Sequence, residues 1–366
     1  MPRAESIVDA CRATGRGVAR RLLLDRQAEL WCRELALTAS LTEIRARVVS
    51  IVEETPDART LVLRPNRRWR AHRAGQHTMV ELEIDGARVR RCYSISSAPV
   101  PGERLVSITA KRVPGGRVSN WLHDRVRVGD VLVLSPPAGD FVLPEPTPER
   151  LLMLSGGSGI TPIAAMLRDL AARDLVRDVV LVHHARSRRD VIFREAIEAL
   201  AAAHRGLRVV WCLDDEPGAP VGFDEARFAA LVPDFASRST WLCGPPAMMA
   251  RVEQTWRRAG AEARLRRERF APPPIEPADD ARALSLSLSR VGRTIEVSSC
   301  ESLLVQLERA GERPSSGCRM GICRSCTTRK RSGVVKSLLT GATSGAGDEE
   351  IQLCVSAPCT DLDLLL

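Results

Sequence analysis

The chain has 366 residues, 44% of them hydrophobic, which is enough for about two or three ordinary packed cores. Its longest uncharged run, residues 151–167, is interrupted by three glycines and a proline and cannot form a membrane span. We therefore expect a cytoplasmic protein, with peripheral attachment to the inner membrane as an alternative. The net charge of +9 comes from arginines scattered along the chain without nucleic-acid-binding spacing, so we expect no nucleic-acid partner.

Two elements are predicted in the first part of the chain. Residues 1–42 form an arginine-rich, weakly amphipathic helical segment. Residues 43–146 contain short β-prone runs separated by turn residues. This pattern predicts a small antiparallel β-barrel.

One predicted strand of this barrel ends in a motif suited to a flavin ring. The motif is Arg91-Cys-Tyr93-Ser94, and Tyr93 is the only tyrosine of the chain. A flavin needs an aromatic face for stacking, a hydroxyl near N5 and a cation for its phosphates, which Tyr93, Ser94 and Arg91 can provide. A tyrosine at a strand end is more often an ordinary core residue, so the motif gains its weight from the turn that follows it.

That turn reads Gly-Gly-Arg-Val-Ser-Asn-Trp-Leu over residues 115–122 and opens a predicted helix. Free N–H groups at a helix start form a cradle for phosphate. Gly116, Val118 and Ser119 are therefore predicted to bind the phosphates of the same flavin nucleotide.

From residue 147 to 270, apolar strand-like runs alternate with helical stretches, which predicts a parallel sheet with crossover helices. The first of these strands leads into a glycine-rich turn over residues 155–162, where Gly157, Gly159 and Thr161 could approach a dinucleotide pyrophosphate. Because proline replaces the third glycine of a Rossmann fingerprint, the turn is related to that motif but different.

Two further strands of this region end in candidate nicotinamide-nucleotide residues. Arg186 and Arg188 follow one strand and favour a ribose 2'-phosphate, hence NADPH over NADH, although a solvated basic turn is the alternative. Cys243, Gly244 and Pro245 end another strand at the carboxyl edge of the sheet, where ligands of such folds bind. We expect the Cys243 thiol beside the nicotinamide.

A proline-rich and acidic linker, residues 271–281, separates this region from a last domain, residues 282–366. That domain contains Cys318, Cys323 and Cys326 in C-x4-C-x2-C spacing, followed by Cys354. This is the ligand pattern of a plant-type [2Fe-2S] cluster. A structural zinc site is the alternative, but such sites usually combine two C-x2-C units.

With these motifs in this order, the chain resembles the ferredoxin-NADP reductase superfamily fused to a C-terminal plant-type ferredoxin domain of β-grasp fold. Residues 108–122 are similar to reductases of phenylacetyl-CoA epoxygenases and hybrid-cluster proteins. This implies FAD, while the phthalate dioxygenase reductases, with the same domain order, keep FMN as an alternative. The resemblance also implies catalytic roles for Tyr93, Ser94 and Cys243 on the path of hydride transfer.

The resemblance implies an enzyme that moves a hydride from NAD(P)H to FAD and then single electrons through the [2Fe-2S] cluster to a partner oxygenase. Residues 25–31 and 45–64 are similar to reductases of membrane-bound acyl-CoA desaturases, so a desaturase is a second candidate partner. We expect a monomer. The alternative function is a non-catalytic adaptor subunit that relays electrons for another protein's active site.

Basic residues surround the predicted cluster loop, with no acid between Glu312 and Asp348. They predict a docking face for an acidic partner, and a merely solvated loop is the alternative. These cations are Arg319, Arg324, Arg329, Lys330, Arg331 and Lys336.

Overall fold

The computed structural model describes residues 38–218, 220–270 and 282–366. Most of the predicted N-terminal helical segment, residues 1–37, and the whole predicted linker lie outside these ranges. The described residues form one antiparallel sheet, one parallel sheet and one mixed sheet, as the sequence predicts, together with a small two-stranded sheet. None of the described helices combines the length and apolar character that crossing a bilayer requires.

The first sheet is antiparallel, with six strands in the order β4-β3-β6-β1-β2-β5. Alternate residues, such as Val80 and Leu82, turn into an apolar core. A bridge between Ile95 and Ile108 joins the two ends of the sheet into a barrel. The elements are β1 (Ile44–Thr55), β2 (Ala58–Pro65), β3 (His77–Ile84), β4 (Ala87–Ser94), β5 (Val106–Lys111), α1 (Arg117–Asp124) and β6 (Val131–Leu134).

The second sheet is parallel throughout, in the order β11-β10-β7-β8-β9. The chain leaves β7 toward one edge and later returns to β10 on the other side, so the carboxyl ends of β7 and β10 mark the switch point where ligands bind in such sheets. The elements are β7 (Arg150–Gly156), α2 (Ile160–Ala172), β8 (Asp178–Ala185), α3 (Arg194–Ala203), β9 (Leu207–Leu213), α4 (Glu225–Leu231), β10 (Ser239–Cys243), α5 (Pro246–Arg258) and β11 (Leu265–Glu268).

The third sheet is mixed, in the order β13-β12-β18-β14-β16, because β12 and β18 run parallel while the other pairs are antiparallel. Helix α6 packs Leu303, Leu304 and Leu307 onto it, as in a β-grasp domain. The elements are β12 (Ala283–Leu288), β13 (Arg293–Ser298), α6 (Leu303–Arg309), β14 (Thr327–Ser332), β15 (Val335–Ser337), β16 (Glu349–Gln352), β17 (Ser356–Pro358) and β18 (Leu362–Leu364), with β15 and β17 forming the small sheet.

Candidate redox site

The four predicted cluster ligands converge at one end of the third sheet. Three lie in the loop before β14, and Cys354 comes from the short turn after β16. Backbone N–H groups point at the sulfurs: that of Gly321 donates to Cys354 Sγ at 3.3 Å, and those of Ile322 and Cys323 each donate to Cys318 Sγ at 3.3 Å. Such donors stabilise thiolates, as an anionic cluster requires.

The thiols interact as two pairs, Cys318 with Cys323 and Cys326 with Cys354. Hydrogen bonding within the pairs lowers the pKa of Cys323 to about 4 and that of Cys326 to about 7, and raises the pKa of Cys318 and Cys354. Two pairs fit the two irons of a [2Fe-2S] cluster, whereas a zinc ion needs its ligands around one point.

Glycines keep the cluster loop close to these sulfurs. A Cβ at Gly317 would lie 2.6 Å from Cys323 Sγ. Gly321 has a φ of +79°, and a Cβ there would meet Leu339 Cδ1 at 2.8 Å. Both positions therefore exclude a larger residue.

The flavin motif lies at the end of β4, beside the cluster loop. Ser94 pairs with His77 across β3 and β4, and the Ser94 Oγ is buried without a hydrogen-bond partner. Tyr93 is half-buried against the barrel core. Burying a hydroxyl without a hydrogen-bond partner costs stability, and flavin N5 would provide that partner. The residues present therefore fit a flavin.

The predicted phosphate cradle lies at the start of α1, with Gly116 as the residue before the helix. The Val118 side chain is 2% exposed and belongs to the barrel core. Ser119 Oγ accepts a hydrogen bond from the Val113 N–H at 3.1 Å and thereby shapes the preceding turn. The side chains of Val118 and Ser119 therefore stabilise the fold. The groups available to bind a phosphate are the backbone N–H groups of the first helical turn.

The glycine-rich turn after β7 packs directly against the end of β10. A Cβ at Gly159 would lie 2.0 Å from the Cys243 carbonyl oxygen, and a Cβ at Gly156 would lie 2.8 Å from Pro245 Cδ. Thr161 Oγ1 donates to the Ser158 carbonyl at 2.9 Å. The fold thus brings Gly157, Thr161, Gly244 and Pro245 together with Cys243 at the switch point.

The thiol of Cys243 is 1% exposed. Burial, and then the nearby Glu268 carboxyl group, raise its pKa well above the ordinary value. The side chain is therefore a neutral thiol at physiological pH. It can occupy space and donate a weak hydrogen bond, but it is not a thiolate nucleophile.

The predicted 2'-phosphate cations lie just beyond β8 and are exposed. Arg186 pairs with Asp57 at 3.0 Å and with Asp190 at 2.9 Å, and Arg188 pairs with Glu198 at 3.1 Å. Exposed ion pairs of this kind contribute little stability, about 0–1 kcal/mol. Both guanidinium groups can therefore exchange a carboxylate for a phosphate.

Glu268, at the end of β11, is a site residue that the sequence reasoning missed. It pairs in register with Cys243, and its Oε1 lies 3.6 Å from Nδ1 of His77 on β3. Both side chains are buried, and His77 Nδ1 and Glu268 Oε2 have no hydrogen-bond partner. Burial raises the pKa of Glu268, while His77 opposes that rise. A single acidic residue at the end of a strand belongs to no recognisable sequence motif. The one signal in the sequence that could have indicated Glu268 is its predicted position at the carboxyl edge of the sheet.

A hydrogen bond joins the flavin strand to the cluster loop. Arg91 Nη1 donates to the Gly317 carbonyl oxygen at 2.9 Å, across 226 residues of sequence. Gly317 immediately precedes the cluster ligand Cys318. A residue predicted to bind the flavin is therefore in direct contact with the loop that carries the predicted cluster ligands.

The predicted ring of exposed cations around the cluster is wrong in part. Lys330 is fully buried, and its Nζ donates to the carbonyl oxygens of Gly333, Gly345 and Gly347 at 2.6–3.1 Å. Arg319 pairs with Glu308, and Arg329 pairs with Asp348. The sequence of a polar strand does not show that Lys330 points inward and binds the carbonyl groups of a neighbouring loop. The acids that pair with Arg319 and Arg329 lie outside the acid-free stretch between Glu312 and Asp348, so that stretch did not reveal them.

Three family models match the chain in sequence order. An oxidoreductase FAD-binding domain matches residues 45–143, an oxidoreductase NAD-binding domain matches residues 153–254, and a 2Fe-2S iron-sulfur cluster binding domain matches residues 286–359. An NADPH oxidoreductase of Mycobacterium tuberculosis is 37% identical over 88% of this chain and 84% of its own. The chain belongs to the ferredoxin-NADP reductase superfamily, in the group with a C-terminal [2Fe-2S] domain.

Two further known proteins are similar to this chain over nearly its whole length. The glycine betaine monooxygenase reductase subunit of Chromohalobacter salexigens is 33% identical, covering 85% of this chain and 92% of the relative. The solved structure of phthalate dioxygenase reductase superposes with a TM-score of 0.61 at 25% identity, covering 89% of this chain and 98% of that one. The predicted fold class, the FAD, NAD and [2Fe-2S] domains and the oxidoreductase class are confirmed.

Proposed function

We propose that this chain is the reductase component of an oxygenase system, which takes electron pairs from NADPH and delivers single electrons to a partner oxygenase. The observation that carries the proposal is the contact between Arg91 and Gly317, because it joins the flavin strand to the cluster loop within one chain. Relatives named as reductase subunits of a glycine betaine monooxygenase and an aromatic O-demethylase support the type of partner.

The chain's own residues bind and orient the cofactors. FAD held by these residues would supply the conversion of a hydride's electron pair into single electrons, and the [2Fe-2S] cluster held by the four cysteines would supply one-electron transfer. Tyr93 offers its ring to the flavin face, and the Ser94 hydroxyl donates toward N5. Arg91 and the N–H groups of the first turn of α1, beside Gly116, neutralise the pyrophosphate.

The nicotinamide nucleotide is assigned to the switch point of the parallel sheet. Gly157, Gly159 and Thr161 form the turn for its pyrophosphate, and Gly244 with Pro245 forms the opposite wall. Cys243, as a neutral thiol, borders the nicotinamide without exchanging a proton. Arg186 and Arg188 give the preference for the 2'-phosphate of NADPH over NADH.

Two finer assignments rest on the sequence alone. A membrane-bound acyl-CoA desaturase is the second candidate acceptor, from the similarity of residues 25–31 and 45–64 to desaturase reductases. The chain acts as a monomer in this proposal, because its flavin and cluster ligands all come from one copy.

Anaerobic addition of NADPH to the holoprotein tests the function. The yellow flavin absorbance should bleach and the iron-sulfur signal of the reduced cluster should appear without any partner present. An adaptor subunit would leave both unchanged. Cys326→Ser should still reduce ferricyanide with NADPH but should no longer reduce cytochrome c, and full retention of cytochrome c reduction would overturn the electron path.

A further inference from the structure

A large groove separates the barrel from the ferredoxin domain. Its volume is about 980 Å³. On the barrel side it is lined by β3, β4, the loop after β2, residues 42–44 and residues 133–138. On the other side it is lined by Ile322, Cys323 and Ser325 of the cluster loop. The groove borders the cofactor pocket at His77, but none of the residues assigned to the flavin phosphates or to the nicotinamide nucleotide lines it.

The groove is strongly basic on its barrel side. Five arginines line it against two glutamates, Glu43 and Glu81. Arg88 and Arg90 both pair with Glu81. The side chains of Arg68 and Arg70 are exposed and form no ion pair or hydrogen bond with any residue that the structure describes. The five arginines are Arg67, Arg68, Arg70, Arg88 and Arg90.

The groove leads to the most accessible cluster ligand. Cys318, Cys326 and Cys354 are buried, whereas Cys323 is partly exposed and lines the groove. Its neighbour Ile322 is 37% exposed and lines the groove beside it. An electron carrier placed in the groove would therefore meet the cluster at Cys323.

We propose that this groove is the docking site for an acidic segment of the electron-accepting protein. The inference rests on the proposed function and adds the position and charge of the exit surface. Unpaired arginines attract acidic surfaces and raise the association rate, and Ile322 supplies the apolar contact. The chain's own residues 1–37 match the basic groove less well than an acidic partner does, because they carry seven arginines and five acidic residues. In each transfer the cluster would give up one electron and the redox centre of the acceptor would gain it, without a proton or a change of bonds.

Charge reversal at the two arginines without partners tests this surface. The matched pair consists of R68E/R70E in the groove and R104E/R205E outside it. All four arginines are exposed and form no ion pair within the described ranges, and both variants change the net charge equally. The NADPH-dependent reduction of cytochrome b5, an acidic haem protein, is measured with holoprotein at several salt concentrations. Each rate is divided by the ferricyanide rate of the same preparation, which reports flavin reduction without protein docking.

The expected result is a loss of about tenfold or more in the normalised cytochrome b5 rate for R68E/R70E at low salt, with less than about twofold for R104E/R205E. The difference should shrink as salt rises, because exposed charges are screened. An equal loss in both variants, or a wild-type cytochrome b5 rate that does not fall as salt rises, would overturn the acidic partner. Micromolar binding of pyrophosphate that R68E/R70E abolishes would assign the groove to a phosphate ligand instead. Failure of the wild type to reduce ferricyanide would refute the proposed function rather than the groove.

Discussion

His77 of the barrel and Glu268 of the parallel sheet lie with Nδ1 and Oε1 3.6 Å apart in the buried contact between their domains. Neither His77 Nδ1 nor Glu268 Oε2 has a hydrogen-bond partner, and both lie next to residues assigned to the flavin and the nicotinamide. Buried polar groups of this kind cost stability unless a ligand or a neighbouring charge compensates them. The site is therefore polar and incompletely satisfied in the protein alone, which is what a cofactor pocket requires.

The first prediction concerns the pH dependence of stability at Glu268. Burial raises its pKa above 4.5 in the folded protein, so the folded state holds the proton more tightly than the unfolded state. The stability contribution of Glu268 is therefore fully present below about pH 4.5 and is lost as pH rises through the raised pKa. Glu268→Gln has no such loss and should gain stability relative to wild type between pH 4.5 and 8.

Urea unfolding of the cofactor-free wild type and Glu268→Gln at both ends of this pH range measures the effect. Glu262→Gln, an exposed acid nearby in sequence, is the control and should follow the wild type. A difference between wild type and Glu268→Gln that stays constant with pH would show that the carboxyl group titrates normally.

The second prediction concerns the contact between Arg91 and Gly317. Arg91→Lys keeps the positive charge proposed for the flavin phosphate but loses the planar guanidinium that donates to the Gly317 carbonyl. We expect the ratio of cytochrome c reduction to ferricyanide reduction, per bound flavin, to fall about fivefold, since one lost charge-assisted hydrogen bond is worth about 1 kcal/mol or more. Arg117→Lys, which loses a hydrogen bond to the Ile84 carbonyl and an exposed pair with Asp85, should keep the wild-type ratio. An unchanged ratio in flavin-loaded Arg91→Lys would mean that the contact does not hold the cluster loop.

The third prediction concerns two opposite effects of the Ser94 hydroxyl, on the stability of the flavin-free protein and on the affinity for FAD. Because its Oγ is buried without a partner, Ser94→Ala should raise the unfolding free energy of the flavin-free protein by about 1 kcal/mol. The same change should weaken FAD binding about tenfold, because the hydroxyl finds its partner only in the flavin. Urea unfolding of the flavin-free protein and fluorescence titration with FAD give the two values. If both stability and affinity fall, the hydroxyl has a structural partner instead.

The fourth prediction concerns the close approach at Gly159. Gly159→Ala places a Cβ against the Cys243 carbonyl oxygen, where 2.0 Å is available, so the turn after β7 must move away from β10. We expect a loss of about 1–3 kcal/mol in the stability of the parallel-sheet domain and a rise of at least about tenfold in the KM for NADPH. Gly347→Ala, where a Cβ meets nothing within 4 Å, is the control for the substitution itself. Wild-type kinetics in Gly159→Ala would show that the turn tolerates displacement.

Much of the site could be predicted because its signals are local. The spacing of Cys318, Cys323 and Cys326 is set by the need to wrap one loop around a small cluster, and the glycines after β7 mark a turn that must pack closely. Strand alternation and the change to helical periodicity likewise predict the barrel and the parallel sheet from neighbouring residues.

Other features could not be read from local patterns. Lys330 lies in a polar strand, typical of a solvated surface, yet the loop folded over β14 turns its Nζ toward three carbonyl groups. Likewise the neutralisation of Arg319 depends on Glu308, which belongs to helix α6. In each case the partner comes from another element, so the charge of the surface is decided by packing.

The amino-acid sequence by itself determined which cofactors this protein can hold and in which order the electrons meet them, because cluster ligands and glycine turns act over short stretches of chain. Only the tertiary structure decided how the parts meet: Arg91 against Gly317, His77 against Glu268, and the arginines of the barrel facing Cys323. Those relationships join residues from different domains, and the hydrophobic contacts that bring the domains together are distributed over many side chains without a motif of their own.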